Sequence, residues 1–152
     1  MSLHLRRAQV VSEALSWQGT PYHHCADVLG AGVDCAMLLV RVYAACELIP
    51  ADLDPRPYAP DWHLHRSEEA YLGWLAQHAQ LQEGGEPEAG DIVVWRFGRC
   101  FSHAAIVLER GPRAMVIHAW RPGRRVMLAH LADSAFAGRE SRRYRPLGLL
   151  ET

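Results

Sequence analysis

At 152 residues, 49% apolar and 22% charged, the chain has the size and composition of one globular domain spanning residues 1–152, which excludes a disordered or fibrous chain. A formal net charge of -1 gives no reason to expect nucleic acid as a partner, and no run approaches the roughly 20 consecutive apolar residues of a membrane span. The balance is uneven: residues 1–96 carry 13 acids and 6 bases, residues 97–152 carry 4 acids and 10 bases, all arginine, so an anionic polymer could meet the C-terminal third.

The first predicted element is a helix from Leu5 to Trp17, with apolar residues at Leu5, Ala8, Val10 or Val11, Ala14 and Leu15. Gly19-Thr20-Pro21 stops it. Arg6 and Arg7 are followed by no apolar stretch and no small-residue cleavage site, so the segment does not read as a secretory signal. The protein is therefore expected to be made in the cytoplasm and carried by other means to any substrate outside it. Residues 22–33 lack periodicity and read as a loop. Cys35 to Leu48 is nearly all apolar and reads as a buried helix with Asp34 as its N-cap.

Residues 50–62 hold four prolines and read as an extended connector. Ser67 to His78 reads as a second amphipathic helix, capped by Ser67, with Glu68 and Glu69 near its positive end. Beyond a glycine-rich break, short runs at 91–97, 103–109, 114–120 and 125–128 have strand character. A short helix near 130–136 and a last strand near 141–146 complete the chain. Helices followed by a mostly antiparallel sheet make an α+β fold.

Cysteines stand at 25, 35, 46 and 100 with no CxxC pair, and they read as thiols. A thiol is nucleophilic only as thiolate, and a helix N-terminus or an adjacent imidazole favours that form. Cys35 follows its cap directly, where the helix dipole favours an anion and the N–H is free to hold an oxyanion. Cys46 lies toward the opposite end and reads as a small buried hydrophobe. Among nine histidines, His103 and His118 fall on neighbouring predicted strands. A tight turn at Arg110-Gly111, or a four-residue one over 109–112, sets the two directly opposite on one face, with Cβ atoms about 5 Å apart. His103 is then the base for Cys35, and His118 holds its ring.

Trp17-Gln-Gly-Thr-Pro-Tyr22 followed by Val33-Asp34-Cys35 resembles the W-x-G-x-P-Y and D-C-S-G-L opening of the NlpC/P60 cysteine peptidases. Glu88-Ala-Gly-Asp-Ile-Val-Val-Trp95, Ser102-His103-Ala-Ala-Ile-Val-Leu and Val116-Ile-His118-Ala119 are similar to that family's later segments, in the same order. The resemblance implies a papain-like fold whose nucleophile helix packs on a C-terminal antiparallel sheet. It also implies hydrolysis of amide bonds in peptidoglycan stem peptides, typically next to D-glutamate, by Cys35, His103 and His118, with no cofactor. Tyr22 matches the family tyrosine that contacts substrate or shapes the oxyanion site, and Asp34 matches the aspartate before the cysteine, with a structural role as cap. Ala36 and Met37 replace the family's serine and glycine and put a bulkier wall beside the nucleophile. His23-His24-Cys25 and the segment from Tyr58 to His65 resemble the phage-encoded, tail-associated branch. That likeness implies virion association and phage tail proteins as partners.

Rival readings come from the same residues. Cys100 and His103 have a Cys-x-x-His spacing that, with His118, would suit a catalytic zinc. His23-His24 and His63-x-His65 resemble ligand pairs but sit on loops, where they read as surface residues. A domain of this fold that has lost its chemistry would be a structural or binding component. An acyl transferase or lipid-directed hydrolase with the same Cys/His/His set would need a long apolar groove.

Overall fold

The computed structural model describes residues 1–58 and 70–151. Helix α1 (Leu3–Ser16) begins where the Ser2 hydroxyl accepts the Leu5 N–H, and it ends before Gly19, whose φ of 85° reverses the chain. Of the expected stripe, Val10 and Ala14 are fully buried, while Leu5 and Leu15 are 56% and 39% exposed. The helix is turned so that Leu3, Val10, Ala14 and Trp17 join the core. Residues 22–33 are not all loop. They contain a small antiparallel hairpin of β1 (Asp27–Val28) and β2 (Gly32–Val33), too short to show a period.

Helix α2 (Cys35–Ala45) buries Met37, Leu38, Leu39, Val40, Val42 and Tyr43 and has no polar face, so it can only be central. It stops at the Cys46 cap, short of the expected Leu48. Residues 53–58 of the connector have no regular structure. Helix α3 (Ala70–His78) ends where the sequence placed its end, and the expected Ser67 cap with Glu68 and Glu69 lies outside the described residues. Strand β3 (Ala79–Gln82) follows at once and was not foreseen, because Ala-Gln-Leu-Gln carries little strand signal.

The remaining strands are β4 (Ile92–Phe97), β5 (Cys100–Val107), β6 (Met115–Trp120), β7 (Arg125–His130) and β8 (Ser141–Pro146). With β3 they form a six-stranded antiparallel sheet in the order β3-β8-β4-β5-β6-β7, so the α+β expectation holds. No helix forms near 130–136. Residues 131–137 run through turns, with the Asp133 carboxylate accepting the Ala135 N–H and Phe136 stacked on Trp95 at 3.9 Å. That segment covers one face of the sheet, with Val93, Trp95, Ala105, Val107 and Val116. Ile92, Val94, Ala104, Ile106, Ile117 and Ala119 pack with α2 on the other. Burial on both faces explains why the central strands read as unbroken apolar runs.

Half of the ten arginines in the C-terminal third are engaged within the fold. Arg143 and Arg145 of β8 bond to the fully buried carboxylate of Asp91 at 2.8–3.0 Å, with Arg7 of α1 at 3.8 Å. Arg96 pairs with Glu140 and Arg110 with Glu86, while Arg139 and Arg142 lie over the rings of Phe97 and Phe101. These side chains are tied to the sheet's edges and ends, while Arg99, Arg113, Arg121, Arg124 and Arg125 are exposed.

Candidate active site

Cys35 is the first residue of α2, and Asp34 is its cap: φ is -107°, and Oδ1 accepts the Met37 N–H at 2.9 Å. The sulfur of this half-buried cysteine points at the backbone of β5, donating to Ser102 O at 3.6 Å. Burial, and after it the charge of Asp34, pushes the thiol up to about 12, while the N–H groups of Ala104, Ala36 and Cys35 itself act in the opposite direction. The helix terminus therefore supplies the expected donors, but desolvation outweighs them. The sequence reading of a lowered thiol pKa does not hold in this arrangement.

The imidazoles are brought together by a route the sequence did not indicate. Strands β5 and β6 pair as Ile106↔Ile117 and Val107↔Val116, two residues away from the register that a tight Arg110-Gly111 turn would impose. The connection is longer: Leu108 N–H donates to Met115 O, the Glu109 carboxylate accepts the Met115 N–H, and Gly111 has φ 121°. A shift of two leaves every side chain on its original face. His103 and His118 are thus diagonal neighbours, past the end of the paired ladder, and His103 Nε2 lies 2.8 Å from His118 Nδ1.

Aromatic rings enclose the pair. Trp95 and Trp120 stack on His103 and His118 respectively, and Phe97 and Phe136 close the edges at centroid distances of 5.4–5.5 Å. Burial lowers His103 well below the ordinary imidazole value, helped by His118 and Arg139. Burial likewise lowers His118 to about 4, with Asp133 opposing. Both rings are neutral at pH 7, so one N–H fills the bond between them. When His103 donates it from Nε2, its Nδ1 keeps a free lone pair.

The thiol lies against the backbone on either side of His103 but is not bonded to its ring. The backbone groups that meet the Cys35 sulfur, Ser102 O and Ala104 N–H, flank His103, and Ser102 is the extra residue of a β-bulge opposite Trp95 and Arg96. Among the described residues no hydrogen bond joins Cys35 to His103 or His118. Tyr22 stands beside the sulfur, its phenol pushed up by burial and then by Cys35 and Asp34. With His23, His24 and Arg121 it lines a pocket of about 220 Å³. Cys100, His103 and His118 do not converge: the one His/Cys/acid trio whose donor atoms lie within 4.8 Å among the described residues is His24, Cys25 and Asp34.

Several contributors were missed. Trp95 and Phe97 share a strand face at spacing two, and that signal was available in the sequence. Arg121, Tyr58 and Phe136 carried none, because turns and the connector bring them in.

No protein-family model matches the sequence, and no curated protein matches it. Solved structures do. The chain is similar to the NlpC/P60 domain of the peptidoglycan hydrolase SagA, with a TM-score of 0.58 and 21% identity over 90% of this chain and 96% of that one. It is also similar to an N-acetylmuramoyl-L-alanine amidase from Bacteroides uniformis, with a TM-score of 0.59 and 11% identity over 93% of this chain and 99% of that one. A second crystal structure described as such an amidase from that organism gives a TM-score of 0.57 at 12% identity. At these identities the likeness is one of fold, and the fold of this chain is that of NlpC/P60 domains.

Proposed function

We propose that the protein is a cell-wall hydrolase that cleaves amide bonds in peptidoglycan stem peptides through Cys35. The observation that carries this reading is the position of the Cys35 sulfur. It sits at the N-terminus of the central helix, against the β5 backbone on either side of His103, in a fold shared with peptidoglycan hydrolases. Substrate entry breaks the thiol's bond to Ser102 O. The thiol proton passes to Nδ1 of His103 as sulfur bonds to the amide carbonyl carbon, and His118 holds the ring through its 2.8 Å contact. The oxyanion is held by the Cys35 N–H. Collapse breaks the C–N bond, His103 returns the proton to the leaving amine, and water, deprotonated by His103, releases the acid and the thiol. We extend this to a bond next to D-glutamate, to Tyr22 as a substrate contact and to a phage-tail origin, all of which rest on motif resemblance.

One observation favours a second reading, a non-catalytic wall-binding or tail component: the thiol is held up to about 12 with no imidazole among the described residues bonded to it. Digestion of purified muropeptides by wild type and Cys35→Ala, with and without EDTA, separates the readings by mass spectrometry. Products from wild type alone, unchanged by EDTA, support the cysteine mechanism and identify the bond. Binding without products from either protein supports the second reading, and products lost only with EDTA indicate a metal hydrolase.

A further inference from the structure

The described residues do contain one thiol–imidazole contact, away from Cys35. His24 Nε2 and Cys25 Sγ are 3.2 Å apart. Consecutive side chains on an extended strand point to opposite sides. Cys25 instead has φ 59°, the left-handed region, where the chain turns and adjacent side chains can converge. Asp34 completes the group. Its Oδ2 lies 3.8 Å from His24 Nδ1 and accepts the Cys25 N–H at 2.8 Å and the Tyr58 O–H at 2.6 Å. One donor atom from each of His24, Cys25 and Asp34 lies within 4.8 Å of the other two.

The surrounding structure holds this geometry. Arg56 donates to Cys25 O at 2.9 Å while paired with Asp54 and Asp27, so the loop and the connector are tied together. Gly32 lets the loop close on the β1–β2 hairpin, since a Cβ there would lie 2.9 Å from that of His23. Asp34 is fixed by the helix it caps and is 2% exposed. Three different anchors therefore set three potential donors before any ligand arrives.

Imidazole nitrogen, thiolate and carboxylate oxygen are the donor types of a borderline-soft, tetrahedral divalent cation. The two negative charges of thiolate and carboxylate offset such an ion. The Cys25 N–H, donated to Asp34 Oδ2, is the kind of contact that orients a ligating oxygen. The pocket of Tyr22, His23, His24 and Arg121 borders the group and provides an entry path with room for water. We propose that His24, Cys25 and Asp34 bind a zinc-class divalent cation, with water as fourth ligand. Asp34 keeps Oδ1 on the Met37 N–H and ligates through Oδ2 in place of the Tyr58 O–H, so α2 retains its cap, and Cys25 releases its proton on binding. The donor set includes none of Cys35, His103 and His118, although Asp34 precedes Cys35 and its charge acts on that thiol, and the test needs no hydrolytic activity.

The full chain is titrated with Co²⁺ and followed by near-ultraviolet absorption, where a thiolate ligand gives a charge-transfer band. One equivalent should raise the band and Zn²⁺ should abolish it. Cys25→Ser should lose the band, His24→Ala should weaken Co²⁺ binding at least about tenfold, and Cys35→Ser should leave it intact, with circular dichroism verifying each fold. Absence of a band in wild type overturns the proposal, as does a band that survives Cys25→Ser or vanishes in Cys35→Ser. If Cys25→Ser does not fold, zinc-edge X-ray absorption of the wild type decides. One sulfur with nitrogen and oxygen neighbours is expected, and none or two overturns the assignment.

Discussion

Cys35 sits between opposing influences. The N–H groups of Ala104, Ala36 and Cys35 stabilise a thiolate, but burial and the Asp34 carboxylate prevail and hold the thiol up to about 12. Iodoacetamide should therefore label the Cys35 peptide at pH 7 at least about tenfold more slowly than it labels free cysteine, whose pKa is about 8.5. Peptide mass spectrometry reads the rate, and faster labelling than the free amino acid would mean that an imidazole partner forms in solution. His118 offers a test by acid. Its folded value, about 4, lies below the ordinary 6.5, so the unfolded chain binds the proton more tightly. The native state keeps its full advantage above about 6.5 and loses it as the pH falls toward 4, by about 3 kcal/mol at about 1.4 kcal/mol per unit. Urea unfolding at pH 7, 5.5 and 4.5 should show this loss in wild type and a smaller one in His118→Gln.

At the scale of elements, α2 depends on one cap with several duties. Asp34 accepts from Met37 N–H, Cys25 N–H and Tyr58 O–H, and so fastens the helix, the loop and the connector at one point. Asp34→Ala leaves those donors without a partner and should cost at least about 2 kcal/mol in urea unfolding. Asp34→Asn keeps an oxygen for Met37 and should lose less. Equal losses would show that the charge, not the cap, matters. The cap and the start of α2 were legible because an aspartate before an apolar run is a local signal. The β5–β6 register was not. It is set by the 108–114 connection, where the Glu109 carboxylate and Gly111 build a wider turn than the sequence suggested. His103 and His118 still share a face because a displacement of two residues preserves the alternation of side chains.

Asp91 organises the whole molecule. It joins α1 to the β4–β8 side of the sheet through Arg7, Arg143 and Arg145, with its side chain fully buried. Asp91→Ala would leave those guanidinium groups facing one another in a low-dielectric site, a loss of about 3–5 kcal/mol. A urea midpoint close to that of wild type would contradict this. The arginine excess of the C-terminal third was visible as composition, but its use was not, since the partners lie up to 59 residues away in sequence, as for Arg143 and Gly84. For the same reason the missing helix near 130–136 could not be foreseen: Phe136 is drawn onto Trp95.

The sequence by itself determined the α+β class, the central apolar helix with Cys35 behind its cap, and the strands bearing His103 and His118. Each of these follows from periodicity, capping or turn chemistry within about ten residues. Only the tertiary structure decided the thiol's protonation, the aromatic enclosure of the two imidazoles and the meeting of His24, Cys25 and Asp34. The first two depend on desolvation and on distances between segments remote in the chain, and the third on the backbone turn at Cys25 and the two-residue strands of the β1–β2 hairpin, which no periodicity marks.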